Sequence, residues 1–141
     1  MSTSRRPSRP DTLRAGPRRR MPAQSRPQPT HPPLTLVDLD EETRAFKVGD
    51  ASRLLTQVSD SSLRFSAFRG GGSWHVHQET DECFLVLKGE LQVDLEGGQT
   101  LRVRRHQLAT VPAGRAHRAR SLVPTAIVCF KPLVGPTRLL E

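Results

Sequence analysis

Two histidines stand two positions apart in His75-Val76-His77, and a carboxylate, Glu82, follows five residues later. On an extended strand, side chains two apart project from one face, so both imidazoles can share one ion. The intervening Gln78-Glu79-Thr80-Asp81 can loop the chain back, and Glu82 opens onto an apolar run, Cys83–Leu87. Two imidazoles and a carboxylate suit Fe(II), Mn(II), Zn(II), Ni(II) or Co(II) better than the all-oxygen set Ca2+ prefers. Taken alone, such a pair is commonly a packed or solvent-facing one. The surrounding pattern is what gives it weight.

That pattern is short strands. Beyond Gly72 the apolar runs Trp74–His77, Cys83–Leu87, Leu91–Leu95, Leu101–Val103, Leu108–Val111, His117–Leu122 and Ala126–Phe130 alternate with turn signals. These are Lys88-Gly89-Glu90, Glu96-Gly97-Gly98, Pro112-Ala113-Gly114 and Val123-Pro124. Many short strands at regular spacing predict an all-β sandwich or barrel of antiparallel strands. Upstream, Leu34–Leu39 alternates as a first strand, and Asp40-Glu41-Glu42 offers a cap and acidic first turn for a helix through Lys47. Leu63–Phe68 reads as a further strand broken by Gly70-Gly71-Gly72. No long helix and no internal repeat is expected.

Here the chain resembles the cupin superfamily. The first cupin motif is a glycine, H-x-H, a glutamate three or four residues on, and a glycine seven beyond it; here these are Gly70, His75-Val76-His77, Glu82 and Gly89. The second, P-x-G-x-x-H, is Pro112-Ala113-Gly114-Arg115-Ala116-His117. The likeness covers residues 63–130 and implies a conical antiparallel barrel, a double-stranded β-helix or jelly roll. It also implies one divalent metal held inside one end by His75, His77, Glu82 and His117. The residues themselves are compatible with His117 in that set, because it follows a Pro-x-Gly turn and shares a strand face with Ala119 and Ser121. Two positions depart from the motif. His106 stands where a glycine usually opens the second motif, implying an altered turn, and Ser121 replaces an asparagine expected near the site. The run from Trp74 to Leu91 is similar to small single-domain cupins of a mannose-6-phosphate-isomerase-like branch, a label that rests on fold and does not fix function.

Other residues divide by position. Phe84 and Val86 share Glu82's parity and should line the barrel interior as an apolar wall for a small ligand. Arg115 can present its guanidinium to an anionic substrate, or be a solvated turn residue. Trp74 should pack away from the metal, Cys83 should face away from it, and the two cysteines read as free thiols. His106 and His31 are expected to stand apart from the site.

Composition sets the frame. Of 141 residues, the first 33 hold eight arginines, one acidic residue and eight of twelve prolines, so the tail carries +7 of the net charge of +8. Such a segment cannot bury enough apolar surface to order itself. The expected organisation is a disordered tail, 1–33, and a barrel domain, 34–141. Met21, after Arg18-Arg19-Arg20, offers an alternative translation start. The tail's arginines would suit nucleic acid, but 1–33 contains no aromatic stacking residue, so a solvated tail is the expectation. No run approaches a membrane span and no apolar signal region follows Arg5-Arg6, which leaves a cytoplasmic protein as the default. The resemblance favours a homodimer. The functional expectation is a metal-dependent protein binding or converting a small oxygenated molecule, by isomerase or dioxygenase chemistry. Its alternatives are a non-catalytic sensor or binding module with a basic tail, and a purely structural metal site.

Overall fold

A computed structural model of the chain describes residues 28–50, 52–133 and 135–140. It contains one helix, α1 (Leu39–Ala45), and nine strands: β1 (Arg53–Val58), β2 (Ser61–Gly71), β3 (His75–Val76), β4 (Glu82–Lys88), β5 (Glu90–Leu95), β6 (Thr100–Arg104), β7 (Leu108–Val111), β8 (His117–Pro132) and β9 (Arg138–Leu139). Every pairing is antiparallel. The organiser is β8. Along one edge it pairs with β2 and then β3; along the other it pairs with β5 over Arg120 to His117 and with β4 over Phe130 to Ala126.

The apolar runs are continuous because the sheet is covered on both faces. Phe84, Val86, Leu91, Val93, Leu95, Val103, Val111, Ile127 and Cys129 fill the barrel interior. On the outer face, Leu55, Phe65, Ala67, Ala126 and Val128 form a second layer under Leu39 and Phe46 of the α1 region. The Phe46 and Phe65 ring centroids lie 4.7 Å apart.

Several expectations change. Leu34–Leu39 is not a strand. Leu34 sits in the left-handed region after Pro32-Pro33, Leu34 and Leu36 are fully exposed, and no strand pairs with them. Asp38, rather than Asp40, caps the helix, accepting from the Asp40 and Glu41 amides at 2.9 and 3.1 Å. The glycines do not break β2, which runs through to Gly71 with a register shift after Phe68. Val123-Pro124 is not a turn either. His117–Pro132 is one strand, and Pro124, which has no N–H to give, lies where the ladder with β2 is interrupted between Ser121 and Thr125.

Residues 1–27 of the expected tail lie outside the described residues. The Thr30 and His31 amides, within that expected tail, donate to the Leu54 and Leu55 carbonyls of β1 at 2.7 and 3.0 Å. His31 is engaged, not inert. Its Nε2 lies 2.7 Å from Glu42 Oε1, and Glu42 is also held by Arg53.

At His106 the motif's turn survives without its glycine. His106 itself adopts φ +65° and donates its amide to the Val86 carbonyl at 2.7 Å. A left-handed residue with a Cβ costs about 1–2 kcal/mol, whereas glycine's extra chain entropy costs about 0.5–1. His106→Gly is therefore expected to stabilise the protein by about 0.5–1 kcal/mol in urea denaturation, leaving metal content unchanged. A destabilised His106→Gly would show that the histidine ring makes compensating contacts.

Candidate metal centre

Three strand starts converge to build the site. β3 supplies His75, with His77 just past its end; β4 begins at Glu82 and β8 at His117. His75 pairs with His117 across the ladder, and Glu82 with Val111. The turn of the second motif is tied to the first: Gly114 N donates to the His77 carbonyl at 2.8 Å and Ala113 N to Asp81 Oδ1 at 2.9 Å. The structure thus brings together His75, His77, Glu82 and His117, one donor atom from each lying within 4.8 Å of every other. His117, Glu82 and His77 are buried, while the His75 side chain keeps 20% of its exposure, so the cluster meets solvent on the His75 side.

The hydrogen bonds around the imidazoles fix what the cluster can hold. His75 Nδ1 lies 2.9 Å from the Ser73 carbonyl and His117 Nδ1 lies 3.0 Å from the Arg115 carbonyl. A carbonyl only accepts, so both Nδ1 atoms carry a proton, and a ring holding no second proton turns an Nε2 lone pair inward. His117 Nε2 then faces Glu82 Oε2 at 3.0 Å, and His77 Nε2 faces the same oxygen at 2.9 Å. Lone pairs facing a buried carboxylate need positive charge between them, supplied by a proton or a metal ion. Neighbouring donors around an ion with bonds of about 2.1 Å sit about 3.0–3.5 Å apart. His77 and His117 already stand near that spacing from Glu82 Oε2, and His75, at 3.8 Å, would draw in to join them on a divalent transition metal.

The electrostatics point the same way. Burial opposes ionisation of Glu82, but the contacts of its carboxylate with His117, His75 and Cys129 outweigh it and hold the carboxyl well below its usual range. The Glu82 contact raises His75, while burial lowers His77. Burial, reinforced by the Glu82 charge, pushes the Cys129 thiol well up, which keeps it protonated as a donor to Glu82 Oε1 at 2.9 Å.

Phe84 and Val86 both face the interior, the Phe84 ring centroid 6.1 Å from that of His117. Arg115 meets the cluster through its backbone carbonyl, while its guanidinium donates to the Glu96 carbonyl at 2.8 Å. Trp74 is packed with Arg118 at 5.2 Å, on the side of β8 away from the ligands. There Arg118 and Arg120 both grip Asp94 beside an open recess of about 360 Å3. Ser121 is turned to the Phe68 carbonyl at 3.2 Å, fastening β2 to β8.

Two partners of the cluster escaped the sequence reading. Cys129 lies an even number of positions beyond His117, a signal visible only once residues 117–132 form one strand. Thr137, whose Oγ1 lies 3.0 Å from His77 Nδ1, comes from a C-terminal segment with no recognisable pattern.

A strand-built barrel with three histidines and one glutamate converging at one end defines a class of small single-domain β-barrel proteins with a side-chain group able to hold a metal ion. Residues 67–130 match the cupin domain family known as cupin-2. An uncharacterised protein of Bacillus subtilis strain 168, YdbB, is 33% identical over 87 residues, covering 62% of this chain and 77% of that one. On that family match, this chain belongs to the cupin-2 family. Among solved structures, a cupin-2 domain protein from Shewanella frigidimarina superposes with a TM-score of 0.64 at 22% identity, over 69% of this chain and 94% of its own. Hydroquinone 1,2-dioxygenase PnpCD, solved with Cd2+ and 4-hydroxybenzonitrile, superposes with a TM-score of 0.56 at 17% identity, over 70% and 72% respectively. Both structural likenesses are of fold. Among the described residues, no helix is long and apolar enough to cross a membrane.

Proposed function

We propose that this cupin is a metal-dependent enzyme that converts a small oxygenated organic molecule at a mononuclear centre of His75, His77, Glu82 and His117. The observation that carries the reading is the convergence of the His77 and His117 Nε2 atoms on the Glu82 carboxylate, with His75 beside them, next to a Phe84–Val86 wall. A divalent ion in that centre would polarise a carbonyl or enediol oxygen, or with iron activate dioxygen, which spans isomerase and dioxygenase chemistry. The chain's own groups do the rest. Phe84 and Val86 exclude water behind the centre, and the partly exposed His75 edge leaves a way in for a ligand. The dioxygenase of like fold supports oxygenase chemistry as one branch of this reading.

A non-catalytic binding module is the second reading. It is favoured by the groups hydrogen-bonded to the ligands: two backbone carbonyls, the Thr137 hydroxyl and the Cys129 thiol, each already committed to a ligand. No dedicated acid or base is evident there.

The test is elemental analysis of purified protein, followed by oxygen-uptake and isomerisation assays on wild type and Glu82→Gln. Glutamine keeps the size and removes the charge, leaving the ion more weakly held and more Lewis-acidic. An enzyme is expected to change turnover per bound metal, whereas a binding module changes ligand affinity alone. Arg115→Ala belongs in the same assay. An anion-steering role raises KM for anionic ligands only, and equal effects on neutral ligands would leave Arg115 as a strut to Glu96.

A further inference from the structure

The C-terminal segment is short and mostly exposed, yet hydrogen bonds of its described residues 137–140 run to β3 and the residues flanking it, Trp74 and His77. β9 pairs with β3, matching Leu139 to His75 and Arg138 to Val76. Beyond it the Leu140 amide donates to the Trp74 carbonyl at 2.9 Å. Just before β9, Thr137 Oγ1 lies 3.0 Å from His77 Nδ1. The other two imidazoles have their outer nitrogens fixed by backbone carbonyls two residues away in sequence, Ser73 for His75 and Arg115 for His117. His77 differs: its outer partner is a side chain from the far end of the chain.

We infer that Thr137 is a positioning residue for the metal centre, accepting the His77 Nδ1 proton so that Nε2 presents its lone pair to the ion. The inference rests on the metal reading above and extends it to a residue outside both cupin motifs. His77 is buried beneath Thr137, so a valine there keeps the cover and takes away the acceptor of the Nδ1–H, and the ring gains by rotating or by moving its proton to Nε2. Either change removes a donor from the centre. Serine retains the hydroxyl and should retain the function, whereas valine keeps the shape and loses it.

The experiment compares full-length wild type, Thr137→Val and Thr137→Ser by three measurements. These are Zn(II) affinity by competition with a chromophoric chelator, the thermal midpoint of metal-free protein, and the imidazole 15N shifts of His77 in metal-free protein. Thr137→Val is expected to lose roughly 10–100-fold in Zn(II) affinity, the range typical for an outer partner of a ligating histidine. Thr137→Ser should bind as wild type, with all three metal-free midpoints alike. Unchanged affinity in Thr137→Val would overturn the inference, as would equal losses of affinity or midpoint in the valine and serine variants. If wild type takes up no Zn(II), the metal reading fails by itself, and the 15N shifts decide whether Thr137 orients His77. Shifts identical in wild type and Thr137→Val would overturn that too.

Discussion

Alanine at His75, His77 or His117 is expected to abolish stoichiometric metal retention, measured by equilibrium dialysis and elemental analysis of each variant. Each change removes a donor from a cluster of four, so the loss should exceed the roughly 10–100-fold cost of losing an outer hydrogen-bond partner. Burial separates the three. The His117 side chain is 1% exposed and His77 8%, whereas His75 keeps 20%. Added imidazole should therefore restore binding partly in His75→Ala, where solvent reaches the gap, and not in His117→Ala. His31→Ala and His106→Ala should retain full metal content, since His31 is spent on Glu42 and His106 lies in an exposed turn. Wild-type metal content in all three ligand variants would place the ion elsewhere or nowhere.

Gly89→Ala should be the most damaging single methyl in the molecule. Gly89 has φ +82°, and an added Cβ would stand 2.4 Å from Thr125 Oγ1 and 2.5 Å from the Pro124 carbonyl oxygen. Thr125 cannot step aside easily. It is buried, and its hydroxyl lies between the Glu90 amide and carbonyl at 3.2 Å and the Val123 carbonyl at 2.9 Å. The left-handed penalty of about 1–2 kcal/mol and the overpacking penalty of about 1–3 combine to about 2–5 kcal/mol, a large share of a typical domain's stability. Gly97→Ala is the matched control: φ is +97° but the space is open, so urea denaturation should show only the smaller left-handed cost. Equal losses at the two positions would mean that the β4–β5 turn can move away from β8. The last glycine of the first motif is thus a packing requirement rather than a metal one.

The convergence of His75, His77, Glu82 and His117 was legible because two motifs name all four residues and strand parity agrees with them. Phe84 and Val86 were legible for the same reason, as inward members of an alternating strand. The misreadings have local causes. Leu34–Leu39 has the alternation of a strand but no partner to pair with, and alternation without a partner does not make a strand. Val123-Pro124 reads as a turn because proline usually interrupts a ladder, yet here it falls where the ladder is already interrupted. β1 carries only six residues and alternates weakly, and β9 carries two, so neither rises above its surroundings. His106 shows a motif departure that leaves the geometry intact, since histidine tolerates the left-handed conformation better than most residues with a Cβ.

The sixteen residues of β8 serve four neighbouring strands, with His117 of the four-residue cluster at one end and the thiol that supports Glu82 near the other. Its partners are drawn from both sides of it in the barrel and from distant parts of the chain, Ser61 meeting Pro132 at one extreme. Contacts so remote in sequence are slow to assemble, and little of this strand can be stable before most of the barrel has closed. Its central amides should exchange with deuterium only through global unfolding, at the slow limit for the molecule. Opening β8 would also separate His117 from Glu82, so whole-molecule unfolding would release any bound ion, beside whatever escape the solvent-facing His75 edge allows. The clock of the deepest amides would then be the slowest at which the ion can exchange.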